Sequence, residues 1–323
     1  MLYLNEANLK EVGIPWKETI SIIEDTVRCI GKSDYAQPIK PYLRYRDLKN
    51  RIIAMPAFVG ADINIAGIKW IASFPDNIHK GIPRAHSVVV LNEPDTGEPA
   101  AVINTALLSV IRTASVSGVM MKYFDQVRAE KEYSIGIIGW GPIGRAHLKV
   151  CDSLFGERIS KVYLYDSRPV IHKEEVEFSD KSKVIVAENW QEVYENSTIF
   201  ITCTVSKETY IDLKPAAGSL LLNVSLRDFK TDIYDHVKNA IIVDDWSEVC
   251  REKTDIEVMH LEKGLTEEET KSIVDVVCGH CMQQLDKEDA VMFNPMGMAV
   301  FDVAIGAYYY RQALEKGVGT ILE

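Results

Sequence analysis

Apolar positions along the chain change period several times, and each change predicts an element. Between Pro15 and Gly31, residues Ile20, Ile23, Val27 and Ile30 recur at three- and four-residue intervals, one face of a helix entered at the proline. A shorter helix over residues 5–13 precedes it and stops at Gly13. Prolines keep the stretch from Gln37 to Arg51 extended. Arg51–Val59, Ala66–Phe74, His86–Leu91 and Pro99–Ile103 then read as strands, the last two joined by Asn92-Glu-Pro-Asp-Thr-Gly97 into a hairpin. Two helices followed by four antiparallel strands predict an α+β domain. The helical stretch LLSVIRTASVSGVMMKYF (107–124) leads from it directly into another strand, so it is expected to cross from one domain to the next.

The second half has a different rhythm. Apolar runs at Tyr133–Ile138, Val184–Ala187, Ile199–Val205, Ser219–Val224, Ala240–Val243 and Asp289–Phe293 alternate with helical or irregular pieces, the pattern of a parallel sheet. His172–Lys183 is too short and too charged for a full crossover helix and is expected to be irregular, whereas Glu248 to Cys281 reads as mostly helical. A last apolar helix runs from Met298 to about Lys316 with no strand left to serve, and is expected to return to the first domain. The fold class is α/β: a Rossmann-type parallel-sheet domain over 119–299, and an α+β domain over 1–118 with 300–323.

The first βα turn carries the chemistry. Gly139-Trp-Gly141-Pro142-Ile143-Gly144 follows a strand and opens a helix: the first glycine allows the tight turn, the second lets backbone approach a pyrophosphate, and the third lets helix lie close on strand. Asp166 lies 22 residues past Gly144, where an acid takes ribose hydroxyls and opposes a 2′-phosphate, so NAD is favoured over NADP. Arg168, two residues on, works against that preference.

Composition narrows the class further. With 323 residues, 47% of them hydrophobic, the chain can bury two cores, and a net charge of −11 disfavours nucleic acid or an anionic membrane as partner. No run approaches a membrane span and no signal-peptide pattern precedes the first helix, so a cytoplasmic protein is expected. Six scattered cysteines predict thiols, not a disulfide framework. Cys278-Gly-His-Cys281 is read as a connecting turn, and no metal site is expected. Against the acidic background, Lys40, Arg44, Arg46, Lys49 and Arg51 cluster within twelve residues with Asp47 as the single acid, which suits either anion capture or a guarded strand edge. Lys69, flanked by Ile68, Trp70 and Ile71, must either face solvent or meet a buried anion.

GIKW around Lys69, IRTA around Arg112 and Thr113, the 139–144 glycines, Asp228 five residues after Asn223, and NPMGMAVFD at 294–302 together resemble the ornithine cyclodeaminase/μ-crystallin family over essentially the whole chain. The resemblance implies a substrate-binding and dimerisation domain over 1–118 with 300–323 beside the Rossmann dinucleotide-binding domain, and a homodimer with Arg44, Lys69 and Arg112 as substrate-carboxylate cations and Asp228 as catalytic acid–base group. Lys69 is the next candidate base. It further implies that Thr113 and the 141–143 loop touch cofactor phosphates, that Thr202, Cys203 and Thr204 run along the cofactor, and that Asn294, Gly297 and Met298 border the nicotinamide. Blocks RIIAMP, GIKWIAS, ITCTV, VDDWS and NPMGMA are similar to a dehydrogenase branch of that family serving siderophore biosynthesis. That branch implies NAD-dependent cleavage of an amino-acid adduct of glutamate to L-2,3-diaminopropionate and 2-oxoglutarate, a substrate with several carboxylates. A cyclodeaminase, a ketimine or imino-acid reductase, and a nucleotide-dependent binding protein without turnover are the alternatives on the same scaffold.

Overall fold

Residues 1–323 are described by a computed structural model, and they separate into two units: Met1–Thr113 with Gly297–Glu323, and Ala114–Met296. From the sequence the divides are expected at 118/119 and 299/300. The first falls inside one uninterrupted helix, so no turn marks it.

In the first unit the chain runs β1 (Leu2–Asn5), α1 (Glu6–Val12), α2 (Trp16–Gly31), β2 (Tyr35–Ala36), β3 (Tyr42–Leu43), β4 (Arg51–Val59), β5 (Ile65–Ser73), β6 (Ala85–Asn92), β7 (Pro99–Asn104) and α3 (Leu107–Arg128), the last passing into the second unit. The four long strands pair antiparallel in the order β7-β6-β5-β4, with Met55, Lys69 and Val89 abreast. Period-two alternation gives the sheet two faces. On β4, Ile53, Met55, Ala57 and Val59 are buried while Ile52, Ala54, Pro56 and Phe58 are only half-covered. The sequence pattern missed β1, which pairs parallel with β7. Its four residues are too few to display a period, and Asn5, its last residue, also caps α1 by accepting from the Asn8 N–H.

The second unit contains β8 (Tyr133–Ile138), α4 (Pro142–Phe155), β9 (Ile159–Tyr165), β10 (Val184–Val186), α5 (Trp190–Glu195), β11 (Ile199–Thr202), β12 (Leu220–Asn223), α6 (Tyr234–Val237), β13 (Ile241–Val243), α7 (Trp246–Val249), α8 (Asp255–Lys263), β14 (Lys271–Ser272), α9 (Ile273–Val277) and β15 (Val291–Asn294). All eight strands are parallel, in the order β10-β9-β8-β11-β12-β15-β13-β14. Every residue of β11, β12 and β15 is buried, as a sheet covered on both faces requires. The strand order reverses beside β8, the switch point at whose carboxyl ends such sheets bind ligands. Between β9 and β10 only two 3₁₀ turns form, Lys173–Glu175 and Lys181–Lys183. The segment 248–281, expected to be mostly helical, is helical only in short pieces. Side-chain caps at Asp245, Thr254 and Ser272 each start a new helix, and Glu252, Lys253 and Gly264 turn the chain at positive φ, so it breaks into short pieces.

The chain then returns to the first unit as α10 (Ala299–Lys316) and β16 (Thr320–Ile321). α10 packs on α2 and on β4, β5 and β6, and the Tyr309 hydroxyl donates to the Gly13 carbonyl. β16 pairs antiparallel with β1. No helix is long and apolar enough to cross a membrane, and all six cysteines are free thiols.

Candidate active-site residues

In the first unit, Lys69 sits mid-strand on the covered face of β5, where its ammonium meets Asp302 in the first turn of α10. Asp302 Oδ1 accepts from Lys69 Nζ at 2.9 Å and from Arg112 Nε, on α3, at 3.0 Å. Its other oxygen, Oδ2, is buried with no partner. Burial is the largest influence on Lys69 and lowers its pKa to about 8; Asp302 opposes this, while Arg112 and Lys40 add like-charge repulsion. For Asp302, burial raises the pKa, but Arg112 and Lys69 outweigh it and hold the carboxyl below its ordinary value. Lys40, also buried, donates to the Gly297 carbonyl at 2.8 Å. Gly297 has φ +90°, and a Cβ there would stand 2.5 Å from Arg112 Nη1, so glycine is what lets the guanidinium lie against this backbone.

In the second unit the fingerprint glycines shape the turn between β8 and α4. Gly139 has φ +93°, and a Cβ on it would strike the Cys203 carbonyl at 2.4 Å, where β8 and β11 end side by side. A Cβ on Gly144 would come within 2.2 Å of the Gly139 carbonyl, whereas one on Gly141 would meet nothing within 4 Å. α4 starts at Pro142 with no side chain capping it. An open glycine before an uncapped helix N-terminus is an anion cradle that fits a dinucleotide pyrophosphate. Asp166, just past β9, accepts from the Trp140 N–H at 2.9 Å and pairs with Arg168 Nε at 3.1 Å. Burial works to raise its pKa, but Arg168 and the Trp140 N–H hold it below the ordinary value.

Behind the cradle, His147 is fully buried. Its Nδ1 lies 2.8 Å from the Ile143 carbonyl, which can only accept, so Nδ1 carries the proton and Nε2 accepts from the Ser117 hydroxyl at 2.8 Å. Burial keeps this imidazole neutral, with its pKa lowered to about 4. Cys203 Sγ lies 3.8 Å from the same ring, and burial together with the Asp228 charge pushes the thiol well above its ordinary value.

Asp228 lies on the loop after β12 and is sealed from solvent. Its Oδ1 accepts from Thr204 Oγ1 at 2.5 Å, and its Oδ2 accepts from the Ser225 hydroxyl. Beneath the loop is a buried polar network: Thr202 donates to Asn223 Oδ1, and Asn223 Nδ2 donates to Asp255 and to Asn294 Oδ1. Burial raises the Asp255 carboxyl to about 6, the Asn223 amide and backbone N–H donors pulling against it.

The structure thus brings Lys69 and Arg112 together on one acid, but leaves Arg44 exposed, donating to the Leu48 carbonyl with its guanidinium over the Tyr42 ring. Several side chains expected along a cofactor are engaged with protein. Thr113 donates to the Ser109 carbonyl, Thr202 to Asn223 and Thr204 to Asp228, while Asn294 is buried between Asn223 and the Met292 carbonyl. Met298 is buried at the start of α10. Asp302, Ser225 and Asp255 carry no site role in the sequence reading, where Lys40 stands only as one of the 40–51 cations. Only Asp302 left a signal there: a lysine in an apolar strand requires an anion, and NPMGMAVFD ends in one.

Fold and fingerprint define a Rossmann-type dinucleotide-binding protein carrying a second α+β domain. More narrowly, the chain belongs to the ornithine cyclodeaminase/mu-crystallin family, whose profile matches residues 7–317. It is similar to the N-((2S)-2-amino-2-carboxyethyl)-L-glutamate dehydrogenase of Staphylococcus aureus, at 33% identity over 100% of this chain and 98% of that one. The alanine dehydrogenase of Archaeoglobus fulgidus is 27% identical over 95% of this chain and 94% of its own length. Among solved structures, the Thermococcus litoralis Δ1-pyrroline-2-carboxylate reductase, in complex with NADH and L-proline, superposes with a TM-score of 0.88 at 25% identity, covering 100% of both chains.

Proposed function

We propose that the chain is an NAD-dependent dehydrogenase acting on amino-acid CH–NH groups, and that its substrate is N-(2-amino-2-carboxyethyl)-L-glutamate. The observation that carries the substrate class is the sharing of one buried carboxylate, Asp302, by Lys69 and Arg112, with Lys40 close enough to add repulsion. Clustered cations of this kind suit a ligand bearing several carboxylates, and bidentate Arg suits them best. Ornithine would bring only one carboxylate to such a cluster. The 33% identity to the staphylococcal enzyme supports the same choice.

Gly139, Gly141, Pro142, Ile143 and Gly144 would hold the NAD pyrophosphate and Asp166 its ribose. When bound, the cofactor supplies the acceptor for the hydride leaving the substrate α-carbon. Asp228 takes the amine proton as the C=N bond forms, which requires the Thr204 or Ser225 hydroxyl to yield a place on the carboxylate. Water then adds across the C=N bond, and cleavage of the C–N bond releases 2-oxoglutarate and L-2,3-diaminopropionate. Lys69 and Arg112 orient the carboxylates and exclude other poses.

The chain pairs with a second copy through the outer face of the first unit's sheet. Ile52, Phe58, Ile68, Val88 and Trp70, the last 44% exposed, form an apolar surface across three adjacent strands there.

Incubation with NAD and a panel of the glutamate adduct, alanine, ornithine and proline, followed by absorbance of the reduced cofactor and chromatography of 2-oxoglutarate, tests the assignment. Turnover of the adduct with stoichiometric 2-oxoglutarate is expected. A silent adduct beside oxidation of proline would make the chain an imino-acid reductase run in reverse, and no turnover with any of them would favour a nucleotide-dependent binding protein.

A further inference from the structure

We propose that Asp255 is a positioning residue for Asp228: it anchors the backbone of the Asp228 loop and so sets where the carboxylate of the reacting base stands. The inference rests on the assignment of Asp228 as that base.

The loop leaves β12 at Asn223 and has little regular structure of its own. Leu226 adopts φ +64°, a left-handed conformation that a branched apolar residue holds only when its surroundings impose it. The Leu226 N–H donates to Asn223 Oδ1 at 3.1 Å, and the rest of the loop's anchoring converges on one residue. Asp255 Oδ2 accepts from the backbone N–H of Asp228 and of Phe229, both at 3.3 Å, and from Asn223 Nδ2 at 2.9 Å. The Asp255 N–H in turn donates to the Leu226 carbonyl at 2.8 Å. One residue at the start of α8 therefore holds the loop at its first residue, at its strained residue and at the base itself. Elsewhere the Tyr210 and Ile211 N–H groups both donate to the Asp228 carbonyl, and the Thr204 and Ser225 hydroxyls donate to its carboxylate without fixing the backbone of Asp228 or Phe229.

Asp255 is not needed to start its own helix. That work is done by Thr254, whose hydroxyl accepts from the Glu257 N–H. Asp255 is 3% exposed, and a carboxylate so buried persists only because its donors compensate the lost water. A helix-propensity or packing role would be served as well by an apolar residue. The three donors on one oxygen identify what an apolar residue could not do.

The test compares Asp255→Leu, Asp255→Asn and Asp228→Asn by kcat, KM, cofactor titration and thermal midpoint. Asp255→Leu is expected to lower kcat on the order of 10- to 100-fold, the scale on which misplacing a reacting group by about 1 Å acts, with KM and cofactor affinity within about twofold of wild type. Asp255→Asn, whose amide oxygen still accepts the two backbone N–H groups, recovers most of that loss. Adding Asp255→Leu to Asp228→Asn costs nothing more, because the first acts through the second. Should Asp255→Leu fail to fold, Asp255→Glu carries the test: it keeps the charge, displaces the anchor point, and should lower kcat at unchanged KM. Near-wild-type turnover in Asp228→Asn overturns the base assignment and this inference with it. An inactive Asp228→Asn beside an unimpaired Asp255→Leu or Asp255→Glu, or losses that multiply in the double variant, overturns the positioning role alone.

Discussion

Lys69 Nζ and Asp302 Oδ1 stand 2.9 Å apart with side chains only 2% and 0% exposed, a contact between a central strand and a helix 233 residues further along the chain. Arg112 reaches the same oxygen, so a single carboxylate balances two buried cations. Neutralising it would strand both charges where water cannot reach.

Asp302→Asn is therefore expected to destabilise the protein by about 3–5 kcal/mol, the usual consequence of removing one partner of a buried pair. Urea unfolding of the variant and wild type measures it, and a midpoint shift equivalent to less than about 1 kcal/mol would show that the pair is not carrying the cations.

His147 predicts a pH dependence with a definite sign. Its pKa falls from 6.5 to about 4 on folding, so between those values the unfolded chain binds a proton the folded one refuses, and stability drops as pH falls. Asp255 acts oppositely, since its carboxyl rises from 3.8 to about 6 and the folded state is the one that gains a proton in that window. The two offset each other in the wild type, so the contribution must be isolated. From pH 7 to pH 4.5, His147→Gln should gain about 2–3 kcal/mol relative to wild type, read from paired denaturation curves. A constant difference between the two would refute it.

Asp166→Ala should weaken NAD by about 10- to 100-fold, the worth of a hydrogen bond to a charged group, and leave NADP nearly unchanged. The variant also frees Arg168 from its acid. Side-by-side fluorescence titrations decide the matter, and a wild type that prefers NADP would contradict the role given to this carboxylate.

Trp70 stands opposite Ala54 and Val88 on the outer sheet face. Under the proposed pairing through this face, Trp70→Glu should yield a monomer where the wild type sediments as a dimer, with an unchanged circular dichroism spectrum. A variant that sediments like wild type would place the interface elsewhere.

What the sequence made legible follows from which interactions are local. The 139–144 turn, the helix after it and Asp166 are specified by glycine spacing and period, and the structure builds them as a βαβ unit. The irregular link after β9 was legible for the opposite reason, since no apolar period spans it. The mostly helical stretch expected after Glu248 is cut into short helices, because helical composition says nothing about a row of capping residues that restart the chain. The site was legible only as letters. Lys69 announced the need for an anion without naming which one, and Asp255, a single acid opening an ordinary helix, reads no differently from a surface residue until its three donors are in place.

The return of α10 to the first unit also orders events during synthesis. A chain emerging from its N-terminus has residues 114–296 in hand, and with them every strand of the parallel sheet, before Asp302 exists. Until then Lys69 and Arg112 have no acid to face, and β4, β5 and β6 lack the helix that covers them. The unit translated first is thus the one that must wait, and its closure depends on contacts spanning most of the chain, the kind that form slowest. Ribosome-stalled chains ending before residue 297 should accordingly protect the second unit from protease while the first remains open to cleavage.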